Sequence, residues 1–114
     1  MSTKSPITTH ILDLGSGHPA AGVSVSLFKI QGGNENLLAE GTTNDDGRIT
    51  DWFDNPVEMG HYRLTFDIGT WYQERGLDTF FPQVSLDFKV SDTEAHYHVP
   101  LLLNQWGYST YRGS

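Results

Sequence analysis

The stretch His96-Tyr97-His98-Val99-Pro100-Leu101-Leu102-Leu103 decides how the chain is read, together with the ending behind it, Asn104-Gln105-Trp106-Gly107-Tyr108-Ser109-Thr110-Tyr111-Arg112-Gly113-Ser114. Its first half alternates. Tyr97, Val99, Leu101 and Leu103 fall on one side of an extended chain, and His96, His98, Pro100 and Leu102 fall on the other. The apolar side reads as core. The opposite side carries two imidazoles two residues apart, so both rings project from one face of one strand. A chain end frays by default. Here the run of Tyr, Ser and Thr up to the last residues predicts an end tied down as a further strand. In that strand Ser109, Tyr111 and Gly113 share a face.

Working back, alternation and turn residues divide the chain into short strands. Ile7 to Leu14 is the first, with His10, Leu12 and Leu14 on one face and Thr9, Ile11 and Asp13 on the other. The turn-rich Gly15 to Gly22 ends it. Val23 to Phe28 alternates strictly, with Val23, Val25 and Leu27 inward. Gln31 to Asn36 reads as a loop, and Leu37 to Thr43 as a weaker third strand. Asn44-Asp45-Asp46-Gly47 is the strongest turn signal, with Asp-Gly placed for positive backbone dihedrals. It delivers a short fourth strand, Arg48 to Trp52. After Asn55-Pro56, His61 to Phe66 and Gln83 to Val90 alternate again. Thr70 to Gly76 is the helix candidate, one or two turns opening on a capping Thr and closing on a Gly. About eight short strands at regular spacing predict an all-β antiparallel sandwich or barrel with one short helix.

The bulk numbers bound the rest. At 114 residues the chain is near the common size of one domain, and residues 1–114 are read as a single one. A 37% hydrophobic content suits a soluble globular protein, and no apolar run approaches a membrane span. The polar start Met1-Ser2-Thr3-Lys4 lacks the pattern of a secretion signal, so the expected location is cytoplasmic. Cysteine is absent, which removes disulfides, thiolate metal sites and a cysteine nucleophile. Fourteen acidic against seven basic residues give a net charge of −7, which repels a phosphate backbone, so nucleic acid is not an expected partner. A small anionic ligand needs only one or two well-placed cations.

Read residue by residue, the chemistry is sparse. His98 sits between large core positions at the middle of its strand and is a functional candidate on pattern alone. His96 reads as an ordinary exposed strand histidine, and His10 alone reads as structural. Arg48, at a strand start, reads as a surface charge that protects a sheet edge. His18 and His61 lie in or beside loops and read as surface residues. A His-x-His pair can begin a zinc site, but no third ligand has diagnostic spacing, so no metal is expected. There is no Gly-x-Ser-x-Gly elbow, no phosphate loop and no paired carboxylates.

Three segments change this picture together. Thr9-His10-Ile11-Leu12-Asp13 with Gly17-His18-Pro19-Ala20 resembles the first-strand signature of the transthyretin-like (prealbumin) family. Thr42-Thr43-Asn44-Asp45-Asp46-Gly47-Arg48 resembles that family's central turn. His98-Val99-Pro100-Leu101-Leu102-Leu103 with the ending Tyr111-Arg112-Gly113-Ser114 resembles its C-terminal signature. The terminal Tyr-Arg-Gly-Ser separates the family's enzyme branch, 5-hydroxyisourate hydrolase, from its hormone-carrier branch. Asn104-Gln105-Trp106 departs from the family's more usual Ser-Pro and Tyr, in a loop.

The resemblance implies a transthyretin-like β-sandwich and hydrolysis of a ring acyl C–N bond in 5-hydroxyisourate, a step of urate degradation. It carries the catalytic set onto His10, Arg48, His98 and Ser114. It implies substrate contacts from His10, Arg48, Leu102, Tyr111 and Ser114, with no cofactor. It also implies a homotetramer, a dimer of dimers, with sites in the channel between dimers. The competing expectation is a non-catalytic carrier of a small hydrophobic ligand, which would not need the His10, Arg48, His98 and Tyr-Arg-Gly-Ser combination.

Overall fold

A computed structural model of the chain describes residues 5–53 and 56–113. The alternating segments form strands that pack as two sheets. In chain order they are β1 (Ile7–Asp13), β2 (His18–Pro19), β3 (Ser24–Gln31), β4 (Asn34–Thr42), β5 (Arg48–Ile49), β6 (Gly60–Phe66), α1 (Ile68–Glu74), β7 (Val84–Val90), β8 (Tyr97–Asn104) and β9 (Gly107–Thr110). One sheet runs β2-β1-β8-β9, with β5 also paired to β1; the other runs β4-β3-β6-β7. The transthyretin-like sandwich with one short helix is the architecture expected from the sequence.

The core lies between the sheets and includes the positions predicted inward on the strands that hold Val25, Leu27, Leu101 and Leu103. Ile7, Ile11, Leu101 and Leu103 enter from the first sheet, and Val25, Leu27, Leu64 and Phe66 from the second; all are buried. Burying one such side chain is worth roughly 1.5–3 kcal/mol. Helix α1 closes one end of the core with Ile68, Trp71 and Tyr72. Thr9, inward on β1, satisfies its hydroxyl by donating to the Val99 carbonyl at 2.6 Å.

Several local readings change in detail. The predicted loop from Gln31 to Asn36 is a tight hairpin, because β3 runs to Gln31 and β4 starts at Asn34. Two residues suffice for the turn when both are glycine, and the ladder then pairs Gln31 directly with Asn34. Helix α1 starts earlier than predicted. Asp67, not Thr70, is its N-cap, and the Asp67 carboxylate accepts from the Thr70 amide at 3.3 Å. The fourth strand is only Arg48–Ile49, after which the chain is pinned along β1 by other means. Ser5 Oγ accepts from the Trp52 and Phe53 amides, and the Trp52 indole donates to the Ile7 carbonyl at 2.9 Å. His18 and Pro19, read as part of a turn, form a short edge strand beside Leu12 and Asp13.

One pairing matters most for function. Strand β1 pairs with β8 in parallel, whereas every other strand pair described is antiparallel. The first and last long strands are therefore neighbours, and their outward faces form one surface. On the other side of β1, β5 puts Ile49 opposite Thr9 and Arg48 opposite His10.

The turn before β5 depends on Gly47. Its φ is 74°, and a Cβ there would lie 2.5 Å from the Ile11 carbonyl oxygen. That oxygen accepts from the Ala20 amide, and the Gly47 carbonyl accepts from the Ile11 amide at 2.7 Å, so the clash cannot relax without breaking the ladder. Gly47→Ala should lower unfolding stability by at least about 1–2 kcal/mol, the cost of a left-handed residue alone. Urea denaturation compared with the parent chain checks this, and unchanged stability would contradict the role given to the turn.

Candidate active site

The outward face of the first sheet gathers the residues singled out from the sequence. Along β1 it presents Thr8, His10 and Leu12; along β8 it presents His98, Pro100 and Leu102. The parallel register aligns Thr8 with His98, His10 with Pro100 and Leu12 with Leu102. His10 and His98 are thus diagonal neighbours on adjacent strands, a relation that places Cα atoms roughly 7–8 Å apart. That separation suits two rings acting on one small molecule between them.

Arg48 reaches the same face through the turn that precedes it. The Asn44 side-chain oxygen accepts from the amides of Asp46, at 2.9 Å, and Arg48, at 3.0 Å. The Asn44 amide donates to the Arg48 carbonyl at 3.0 Å, and its carbonyl accepts from the Gly47 amide at 2.8 Å. One asparagine therefore closes the turn from both sides and hands Arg48 to the edge of β1 beside His10. Among the described residues the Arg48 guanidinium forms no ion pair, so its five donors remain available to an anionic or carbonyl ligand.

The electrostatics follow from this placement. Burial lowers the pKa of His10, and the neighbouring Arg48 charge lowers it further. Asp46 works in the opposite direction through a backbone hydrogen bond and its charge. The net effect favours the neutral imidazole at neutral pH.

The His98 ring is held from two sides. Its Nδ1 lies 2.8 Å from Thr8 Oγ1, and the same hydroxyl is 3.3 Å from His96 Nε2. On the other side lies the end of the chain. Strand β9 pairs Ser109 with Leu102, and the same register reappears where Gly113 bridges to His98. The Gly113 amide donates to the His98 carbonyl at 2.8 Å. A Cβ on Gly113 would lie 2.6 Å from His98 Cδ2, so only glycine lets the backbone pass this close to the ring. The ending is tied down, as its sequence predicted.

The other predicted residues are less concentrated. Leu102 and Ser109 border a shallow hollow of about 360 Å³ with Leu14, Trp106 and Tyr108. Tyr111 is exposed. It borders a different cleft, also about 360 Å³, which opens between the sheets near Leu86, Phe88 and Val99. Ser114 lies outside the described residues. His18 and His61 are on the surface as expected. His61 belongs to a charge network on the second sheet, where its Nε2 is 2.7 Å from Asp87 and Arg63 bridges Asp87 to Glu35. Among the described residues no three His, Cys, Asp or Glu side chains stand close enough to hold a metal ion. Also among them, no helix is long and apolar enough to cross a membrane.

Sequence reasoning passed over Thr8, Asn44, Asp46 and Gly113 as parts of the site. Thr8 shares the parity of His10, which was a usable signal. The closeness of Gly113 to the His98 ring had no local signal at all.

The architecture and this face define a transthyretin-like sandwich bearing two imidazoles and a guanidinium on its outer sheet. Residues 7–113 match the HIUase/Transthyretin family, and the chain belongs to that family. It is 46% identical over 109 residues to the 5-hydroxyisourate hydrolase of Salmonella typhimurium, covering 95% of this chain and 80% of that protein. The solved structure of Klebsiella pneumoniae 5-hydroxyisourate hydrolase superposes with a TM-score of 0.85 at 39% identity, covering 98% of this chain and 100% of that one. Sea bream transthyretin in complex with thyroxine superposes with a TM-score of 0.89 at 26% identity, covering 95% and 94% of the two chains.

Two measurements probe the face as described. In Arg48→Ala, the His10 ring should titrate at a higher pH than in the parent, because a repelling cation has been removed. An NMR titration of the ring protons reads this; a lower or unchanged midpoint would contradict the coupling. Gly113→Ala should displace the His98 ring, visible as changed ring resonances, while denaturation stays within about 1–2 kcal/mol of the parent because Gly113 is only partly buried and lies outside the core.

Proposed function

We propose that the chain hydrolyses 5-hydroxyisourate, the substrate in its relatives' name, opening the ring to 2-oxo-4-hydroxy-4-carboxy-5-ureidoimidazoline. The observation that carries this reading is the shared face of His10, Arg48 and His98, in the residue types that the enzyme branch is expected to have. The fold alone does not decide it, since sea bream transthyretin has the same fold. The proposed site is His10, Arg48, His98 and Ser114 for catalysis, with Leu102 and Tyr111 adding substrate contacts.

The reaction needs a water activated, a carbonyl polarised and a leaving nitrogen protonated. In the proposed mechanism the His98 imidazole takes a proton from the attacking water. Oxygen bonds to the ring carbonyl carbon, the acyl C–N bond breaks, and the nitrogen leaves with a proton. His10, held neutral by burial and by Arg48, orients the water or relays to that nitrogen the proton taken by His98, accepting it on one ring nitrogen as it releases one from the other. Arg48 binds the planar, anionic ring through its fork of donors and stabilises the charge that grows on the carbonyl oxygen. Positioned acid–base groups contribute about 10²–10⁴-fold. No metal or organic cofactor enters this scheme.

Assembly belongs to the same proposal. The site face is open in one subunit, with exposed Leu14, Trp106 and Tyr108 beside it. A homotetramer built as a dimer of dimers would set two such faces against each other and exclude bulk water. The whole of residues 1–114 is taken as one domain, acting in the cytoplasm.

Ultraviolet decay of freshly made 5-hydroxyisourate, with and without protein, tests the reading directly and separates an enzyme from a carrier. His98→Asn and His10→Asn should each lower kcat by about 10²-fold or more while the protein stays folded. Near-parental turnover in either variant would remove that histidine from the mechanism.

A further inference from the structure

We infer that Thr8 is a positioning residue for His98, and that it works as the middle of a three-group chain ending on His96. This rests on the hydrolytic reading above, in which His98 is the base. Thr8 is 1% exposed, yet its hydroxyl is 2.8 Å from His98 Nδ1 and 3.3 Å from His96 Nε2. A hydroxyl has one proton to give and two lone pairs to accept with. Among the described residues these two rings are its hydrogen-bond partners.

Two arrangements satisfy all three groups. In one, His96 Nε2–H donates to Thr8 and Thr8 donates to His98 Nδ1, which leaves the His98 proton on Nε2. In the other, His98 Nδ1–H donates to Thr8 and Thr8 donates to His96 Nε2. Only the second leaves a lone pair on His98 Nε2, where a base needs it. It is also the only one that survives the reaction step. When Nε2 takes a proton from water, the ring carries N–H on both nitrogens, and Nδ1–H must then find an acceptor. In the second arrangement Thr8 Oγ1 already accepts that bond, so nothing reorients as charge develops. In the first, the hydroxyl would aim its proton at another proton.

The placement explains two features of the fold. Thr8 stands opposite His98 because β1 and β8 are in parallel register. Gly113 packs along the Cδ2 edge of the His98 ring, so the ring is clamped between a hydroxyl at Nδ1 and backbone at Cδ2. The third group, His96, is exposed and lies immediately before β8. Its role is to accept the proton that Thr8 must place somewhere.

Three variants test this: Thr8→Val, which keeps the shape and removes the hydroxyl, Thr8→Ser, which restores it, and His96→Ala, which removes the end acceptor. Each is measured for kcat and KM on 5-hydroxyisourate and for the His98 ring tautomer by nitrogen-15 NMR, at a pH where the ring is neutral. The parent should show His98 protonated on Nδ1. Thr8→Val should lose that tautomer preference and about 10- to 100-fold in kcat, part of what a positioned base contributes, with KM little changed. Thr8→Ser should recover both. His96→Ala should give a mixture of His98 tautomers and a smaller loss in kcat. A parent His98 protonated on Nε2 would overturn the inference, as would a Thr8→Val protein with parental kcat and parental His98 shifts. Lost turnover with an unchanged tautomer would also overturn it, since that pattern belongs to a packing role. If Thr8→Val does not fold, an unmixed Nδ1-protonated ring in His96→Ala overturns the chain through His96. Because the tautomer is read without substrate, a parent that fails to turn over 5-hydroxyisourate would refute the hydrolytic reading separately.

Discussion

The parallel pairing of β1 with β8 is the constraint on which the rest of the molecule depends. Parallel strands cannot be joined by a short turn, so a long stretch of chain must lie between them. Here that stretch is nearly the whole protein, including the entire second sheet. The core between the sheets supplies the free energy that holds the two ends of the chain side by side. In return, the outward face of the pair receives residues from both ends at fixed register. Thr8 meets His98, and His10 stands one pleat further along.

The far edge of β1 is used as economically. Two very short strands, β5 and β2, share it, and neither could persist alone. Hydrogen bonds from the Asn44 side chain and from the β1 backbone hold the intervening turn in place of a long ladder. The turn sets a guanidinium beside a partly buried imidazole, an arrangement that opposes protonation of His10. Two groups that repel when both are charged are kept together by backbone geometry rather than by attraction to each other. Such a pair contributes nothing to folding through its own interaction, and its value lies in what it can bind.

The sandwich itself is indifferent to this chemistry. It superposes on a hydrolase and on a thyroxine-bound transthyretin with TM-scores of 0.85 and 0.89. What differs between such proteins must reside in the side chains of exposed strand faces and in chain ends, which the core does not dictate. The end of this chain is an example. Gly113 bridges to His98 and runs against its ring, a contact that requires the absence of a side chain.

By itself, the sequence determined the strands, their inward positions and the architecture they form, because period-two alternation is a local property that a core must respect. The inward residues of β3 and β8 lie where alternation placed them. The family signatures also singled out His10, Arg48 and His98, though on pattern alone His10 and Arg48 read as structural and surface residues. Boundaries were less legible where tertiary bonds replaced local ones, as at Asp67, at the two-residue Gly32-Gly33 turn and in the short β5. Only the tertiary structure decided that β1 and β8 run parallel, that Thr8 bridges two histidines ninety residues away or nearly so, and that Gly113 presses on His98. These are contacts between segments remote in sequence, and register between remote strands is chosen by the packing of the whole core, which no local pattern records.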